Sequence, residues 1–454
     1  MLKKNDICKV KIIDQDNLGQ GIGKVDGFPI FVRHAVKGDI ANVLLTKTKK
    51  SYAYGRIMEL INPSELRKCP ECHIFKRCGG CQLQMLDYDA QLLLKQKNVE
   101  DCLRKIAGCN SLNMLPILKS DEIYRYRNKA QYPVGVDKNG NTVCGFFAER
   151  SHEIIECDDC LLTPDIFSAI VKDILKWMDD ENIKPYNEIN GKGIVRHIFI
   201  RQAFTTEQIS LCIVVNSDNL PRKQSFISAM TKYDKIKSIS ISVNKKKSNV
   251  IMGDEIKLIF GDMYIEDKIG NVKFRISPMS FYQINPKQTK KLYDKVAEFA
   301  DLSGNEIVLD LYCGIGTIGL YAASRASRLI GIEIIPAAIE DAKINQKLNN
   351  VKNADFYAGK AEEILPMLYS QGVKKADVVI VDPPRKGCDE TALSTICDIS
   401  PIKLVYVSCN PATLARDIKF LMENGYKLEK VQPVDMFPNT VHVETVVLMS
   451  RVQK

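Results

Sequence analysis

The chain has 454 residues, 45% of them hydrophobic and 26% charged, an ordinary globular composition that is too long for one core, so two or three domains are expected. Its 64 basic and 55 acidic residues leave a net charge of +9, which suits a polyanionic partner without requiring one. No run reaches the roughly 18 apolar residues of a membrane span, the N-terminus lacks the apolar centre of a secretory leader, and 15 cysteines in a cytoplasmic protein point to metal ligation or catalysis rather than disulfides.

Residues 1–60 alternate apolar and polar positions between glycine turns, the pattern of a small β-barrel. Lys47, Lys49 and Lys50 stand beside Tyr52 and Tyr54 there, a basic and aromatic mixture of the kind single-stranded nucleic acid favours, although an ordinary solvated hairpin reads the same way. Residues 61–275 open with Cys69, Cys72, Cys78 and Cys81. Taken alone, C-x2-C-x5-C-x2-C is a zinc pattern, with pairs closer than the ~15 to 20 residues of usual ribbons. Residues 88–107 are an amphipathic helix, with Leu92, Val99, Leu103 and Ile106 at helical spacing. Strands follow around an Asn139-Gly140 turn. Arg125, Arg127 and Lys129 beside them are either phosphate contacts or a solvated strand face.

From residue 276 short apolar runs alternate with helical patterns. That order predicts a doubly wound parallel sheet with its ligands at the carboxyl ends of the strands. In "VLDLYCGIGTIGL" a strand leads through Gly314 and Gly316 into a helix. With Gly319 the spacing is G-x-G-x-x-G, which leaves a nicotinamide dinucleotide site open. Asp310 before the glycines resembles instead the first motif of class I S-adenosylmethionine-dependent methyltransferases, and Glu333 ends the next strand where an acid can hold ribose hydroxyls. Asp382-Pro383-Pro384-Arg385 follows another strand. The related motif of amino-methylating enzymes ends in an aromatic residue, so Arg385 removes the platform on which they stack a flipped adenine.

The strand Leu404–Val407 runs into Ser408, Cys409, Asn410 and Pro411, with a helix opening at the proline. A thiol at that edge suits one reaction well. Carbon 5 of uracil is a poor nucleophile, and a thiolate added to carbon 6 turns the ring into an enolate whose carbon 5 can attack a methyl group. A base must then take the carbon 5 proton. Glu444, set among Val441, Val443 and Val446, is a candidate whose burial would raise its basicity.

"VSCNPATLARD", "HVETV", "DPPRKG", "FYQINP" and "LDLYCGIGTIGL" together resemble the RNA (uracil-5-)-methyltransferase family, and the resemblance covers essentially the whole chain. It implies an α/β fold: an N-terminal TRAM domain (OB-like barrel) at 1–60, a central α+β domain with an iron–sulfur cluster at 61–275, and a class I Rossmann-like methyltransferase domain at 276–454. It makes Cys409 the nucleophile and Glu444 the base. Gln283, Tyr312, Glu333 and Asp382 match the positions that bind S-adenosylmethionine, with Asp382 also a candidate to face the uracil ring. The family's C-x5-C-G-G-C pattern assigns Cys72, Cys78 and Cys81, with the distant Cys160, to a [4Fe–4S] cluster. Cys157 competes for the fourth place and Cys69 is left over. Family members acting on the large ribosomal RNA commonly carry both barrel and cluster, whereas the bacterial transfer RNA enzyme lacks them. The implied activity is therefore 5-methyluridine formation in 23S rRNA by a cytoplasmic monomer with no membrane partner. Transfer RNA is the rival substrate. A non-catalytic RNA-binding iron–sulfur protein is the rival class, against which the pair Cys409 and Glu444 argues.

Overall fold

Alternation of small apolar and polar residues closes the first five strands into a barrel. They are β1 (Ile7–Gln15), β2 (Gly21–Val25), β3 (Phe28–Arg33), β4 (Ile40–Thr48) and β5 (Ala53–Asn62), joined in the order β1-β2-β3-β5-β4. Val10, Ile12, Ile30, Val32, Val43 and Leu45 fill its centre. Gly23 is required for that closure, since a Cβ there would come within 2.2 Å of Val10 Cγ1. The computed structural model describes residues 2–452 apart from 138, 150, 189 and 248.

Helix α1 (Tyr88–Lys105) begins where the Asp87 carboxylate accepts from Asp89 N. Its stripe of Leu92, Val99 and Leu103 is buried as the spacing requires. Ile106, expected in the same stripe, lies past the last turn and is 41% exposed, because the chain leaves the helix there on its way to a left-handed Gly108.

A seven-stranded sheet follows, ordered β12-β11-β10-β9-β6-β7-β8. Its strands are β6 (Lys129–Val136), β7 (Thr142–Phe147), β8 (Ile154–Glu156), β9 (Val195–Gln202), β10 (Ile209–Val215), β11 (Ile236–Val243) and β12 (Glu255–Gly261). Helices α2 (Asp165–Asp180) and α3 (Lys223–Met230) share its core. The expected Asn-Gly turn joins β6 to β7, with Gly140 at φ +88° and Asp137 accepting from Asn139 N and Asn141 N at 2.8 Å.

The hairpin of β13 (Ile265–Ile269) and β14 (Val272–Ile276) leads into the last layer, and its Ile265, Ile269, Phe274 and Ile276 are buried in that layer's core. Then come α4 (Pro286–Ala300), β15 (Ile307–Leu311), α5 (Thr317–Ala322), β16 (Arg328–Glu333), α6 (Pro336–Leu348), β17 (Ala354–Ala358), α7 (Ala361–Ser370), β18 (Val378–Val381), α8 (Glu390–Ile399), β19 (Lys403–Ser408), α9 (Pro411–Glu423), β20 (Tyr426–Val434) and β21 (Glu444–Arg451). The sheet order is β17-β16-β15-β18-β19-β21-β20. Helices cover both faces, and α1 joins the layer formed by α7, α8 and α9 through Val99 and Leu103. All the sheet pairs from β17 to β19 are parallel, as the alternation predicts. β21 departs from that expectation: it lies antiparallel between β19 and β20, so its first residue reaches the edge where the parallel strands end.

Candidate active site

That edge surrounds a cavity of about 880 Å³, and Gln283, Tyr312, Glu333, Asp382, Cys409 and Glu444 all line it. Each arrives on a strand end or on the segment just beyond one. After β15 the chain turns sharply: Tyr312 holds φ +63°, Gly314 +55° and Gly316 +80°. A left-handed tyrosine is costly and persists only where its surroundings impose it. Around Gly314 no atom lies within 4 Å of where a Cβ would stand, so the loop offers bare backbone to a ligand. The Glu333 carboxylate, at the end of β16, ties this loop to the next one by accepting from Gly314 N (3.3 Å) and Ile335 N (3.0 Å). Asp310 serves differently. It is fully buried, accepts from Gly319 N at 2.9 Å, and is pushed up to about 8 by desolvation, a carboxyl that fixes the helix after the loop.

Cys409 and Glu444 come together through strand register. β19 and β21 pair Ser408 with Thr445, so the next step outward sets Cys409 against Glu444. Asp382, just beyond β18, completes the group. Burial raises both carboxyls above the usual range, and the charge of Asp382 raises Glu444 further. The Cys409 thiol is pushed up to about 11 by burial and by these two carboxylates, with Arg385 opposing them, so the free enzyme holds a thiol rather than a thiolate. The Arg385 carbonyl accepts from Asn410 Nδ2 (3.1 Å) and Thr413 Oγ1 (3.2 Å), locking the Asp382 loop to the Cys409 loop.

Sequence reasoning passed over His442, which lines the same cavity. Burial and nearby cations lower it to about 4, so its imidazole is neutral, and its ring meets Phe437 edge-on. Its place two residues before Glu444 was the available signal. Arg127 and Lys129 also line the cavity. Arg125, grouped with them in the sequence, is instead bound to Asp159 at 2.6 and 2.7 Å and to the carbonyls of Cys160 and Thr163 at 2.9 Å.

A second cavity, of about 240 Å³, shares Arg127 and Lys129 as its wall and is lined by Cys72, Cys78, Cys81, Cys157 and Cys160. Cys69 is exposed and does not line it. Burial raises these thiols. That of Cys81, pushed up to about 12, is raised further by Cys160, Cys78 and Cys72. Soft donors converging on one cavity fit an iron–sulfur core, whose binding would displace their protons. Among the described residues no three His, Cys, Asp or Glu side chains are grouped tightly enough to hold a single metal ion. On the barrel, Phe31, Tyr52 and Tyr54 lie mutually within 5.5–5.8 Å, beside the exposed Lys47, Lys49 and Lys50. No helix among the described residues is long and apolar enough to cross a membrane.

Comparison with known proteins agrees with this geometry. The model of the tRNA (Uracil-5-)-methyltransferase family matches residues 87–452, and the TRAM domain model matches residues 3–58. A Bacillus cereus protein described as an uncharacterized RNA methyltransferase is 47% identical over all of this chain and 98% of its own length. A Clostridium acetobutylicum protein of the same description is 47% identical over all of this chain and 99% of its own. The crystal structure of Pyrococcus abyssi tRNA (uracil-54, C5)-methyltransferase, in complex with S-adenosyl-L-homocysteine, is 30% identical, with a TM-score of 0.78 over 97% of this chain and 99% of that one.

Proposed function

The chain belongs to the RNA uracil-5-methyltransferase family, with a TRAM domain at its N-terminus, and from that premise we propose that it methylates carbon 5 of uridine in 23S rRNA through a covalent Cys409 adduct. The observation that carries this reading is the register that sets Cys409 against Glu444 at the edge of the glycine-loop cavity.

S-adenosylmethionine, held by Gln283, Tyr312, Glu333 and Asp382, supplies the methyl group. The open backbone at Gly314 and the anchored Glu333 carboxylate suit an adenosyl moiety. The Cys409 thiol gives up its proton as it engages the ring, with the neighbouring Asp382 carboxylate as acceptor, so that Glu444 stays ionised for the later step. Sγ then bonds to carbon 6, and the electron pair of the C5–C6 double bond leaves carbon 5 nucleophilic. Carbon 5 takes the methyl group, whose bond to the donor's sulfonium sulfur breaks and leaves S-adenosylhomocysteine. Glu444 removes the remaining proton from carbon 5, the double bond reforms, and the C6–S bond breaks to return the cysteine. A carboxylate made more basic by burial is better suited to that proton than an exposed one. The neutral His442 and the cationic Arg127 and Lys129 complete the wall against which an extruded nucleoside would sit.

In this reading Cys72, Cys78, Cys81 and Cys160 hold a [4Fe–4S] cluster, and no catalytic step runs through it. Cys160 is preferred to Cys157 as the better match to the family's cysteine pattern, since both line the cavity. Transfer RNA is a second reading with an observation of its own, since the Pyrococcus tRNA enzyme matches this chain almost end to end, barrel included. The deciding experiment is a map of 5-methyluridine in ribosomal and transfer RNA from cells lacking the gene. Loss confined to 23S rRNA supports the proposal, and loss confined to transfer RNA replaces it with the second reading. Either substrate places the enzyme in the cytoplasm.

A further inference from the structure

The segment that joins β20 to β21 and delivers His442 and Glu444 contains a residue with five hydrogen bonds. Asn439 is 1% exposed and left-handed, at φ +67°. Its amide donates to Gln91 Oε1 (2.9 Å), and its Oδ1 accepts from Gln91 Nε2 (3.2 Å). Its Nδ2 donates to the Ile123 carbonyl (2.8 Å). Its carbonyl accepts from both Gln82 N (3.1 Å) and Leu83 N (3.0 Å). Gln82 and Leu83 directly follow Cys81.

The Gln82 side chain spans the same gap. Its Nε2 donates to the Gly79 carbonyl at 2.9 Å, inside the cysteine loop, while its Oε1 faces Val441 N at 3.4 Å. Val441 in turn packs with Leu83 and Cys81 in one small apolar cluster. Even the barrel takes part: a Cβ on Gly19 would meet Leu83 Cδ2 at 2.8 Å and Val441 Cγ1 at 3.1 Å. The cysteine loop has little regular structure of its own, so the group it encloses determines how firmly it can hold anything else.

We propose that Asn439 and Gln82 are positioning residues that transmit the order of the cysteine loop to Glu444, so that an intact thiol site is needed for the carbon 5 proton to be removed at full rate. The inference rests on Glu444 as base and on the cluster reading. It gives the cluster's hold on the cysteine loop an effect on one step, elimination, in addition to its contribution to the fold. The cofactor contacts in the loops after β15 and β16 are not coupled to it.

The test separates the steps in the iron-loaded full chain. Asn439→Gly keeps the left-handed backbone and drops the side-chain bonds, and Gln82→Ala drops the bridge. Each should form the methylated RNA adduct within about twofold of the normal rate while its collapse slows about tenfold, a shift general-base displacement can produce. Collapse at the normal rate, or equal slowing of both steps, overturns the proposal. Hydrogen exchange gives a reading independent of turnover. Anaerobic removal of iron should speed exchange at amides 439–443 by at least about tenfold and leave amides 314–320 unchanged. Unchanged exchange at 439–443 overturns the proposal even if Glu444→Gln traps adduct. If Glu444→Gln turns over normally, the base assignment fails, and the elimination claim falls with it.

Discussion

The two cavities share a wall yet are built in opposite ways. In the reaction cavity, Asp382, Cys409 and Glu444 stand at or just past the ends of hydrogen-bonded strands, so sheet register places them before any ligand arrives. In the thiol cavity, Cys72, Cys78 and Cys81 come from irregular chain, and Cys160 comes from a loop pinned by Arg125. The first site is organised by the backbone, whereas the second, on the proposed reading, would be organised by the cluster it holds. Removing one side chain should therefore have a different signature in each: chemistry lost on an intact scaffold in the first, and scaffold lost in the second.

Cys409→Ala is the sharpest way to break that contrast. Methyl transfer should fall by at least about 10³-fold, because carbon 5 has no other route to nucleophilic character, while S-adenosylmethionine affinity stays within about twofold. A calorimetric titration beside a methyl-transfer assay checks both, and an active variant would remove the covalent step. Glu444→Gln comes next. Turnover should drop by about 10² to 10⁴, and a methylated enzyme–RNA adduct should survive denaturing electrophoresis. Combining it with Cys409→Ala should abolish the band.

The sign of the pH dependence follows from the same group. Glu444 must be ionised to accept the proton, and its folded-state pKa is raised, so adduct collapse in the native enzyme should accelerate as pH rises through neutrality. Rapid-quench kinetics would show a flat profile if the base were an ordinary exposed carboxylate.

On the other side of the wall, Cys160→Ser should lose most of its iron in anaerobic preparations and melt several degrees lower, with Cys157→Ser close to normal. Iron analysis and a thermal melt decide it, and the reverse ranking would move the fourth ligand to Cys157. The smallest effect belongs to the barrel. Tyr52→Ala should weaken RNA binding by about 1–3 kcal/mol without touching cofactor affinity, as loss of one stacked base would, and filter binding at two salt concentrations measures it.

Local pattern made much of this legible. The apolar runs ending at Leu311, Glu333, Val381 and Ser408 are the strands the alternation required, and the residues after them line the cavity. The pairing of Cys409 with Glu444 was not legible from periodicity, because it depends on β21 entering between β19 and β20 in the opposite direction. Val446–Leu448 read equally well as a parallel strand. Arg125 and Arg127 looked alike in sequence and were separated only by Asp159, 34 residues on, which binds the first. Asn439 carries no periodic signal at all. Its importance lies in satisfying five polar groups in a buried turn, and no local pattern records such a requirement.

The contacts around that turn also dictate a sequence of events during synthesis. Lys95 is 1% exposed in the finished protein and donates to Asp435 Oδ1 at 2.6 Å, 340 residues later, while Tyr88 donates to the other oxygen of the same carboxylate at 2.9 Å. While the ribosome is still at work, α1 has emerged and carries Lys95 and a Gln91 side-chain oxygen whose partners do not yet exist. The barrel can close as soon as its own five strands are out, but α1 cannot dock until β20 and the turn after it are made. The connection between β20 and β21 thus completes the N-terminal half, and α1 settles only after some 340 further residues have been made.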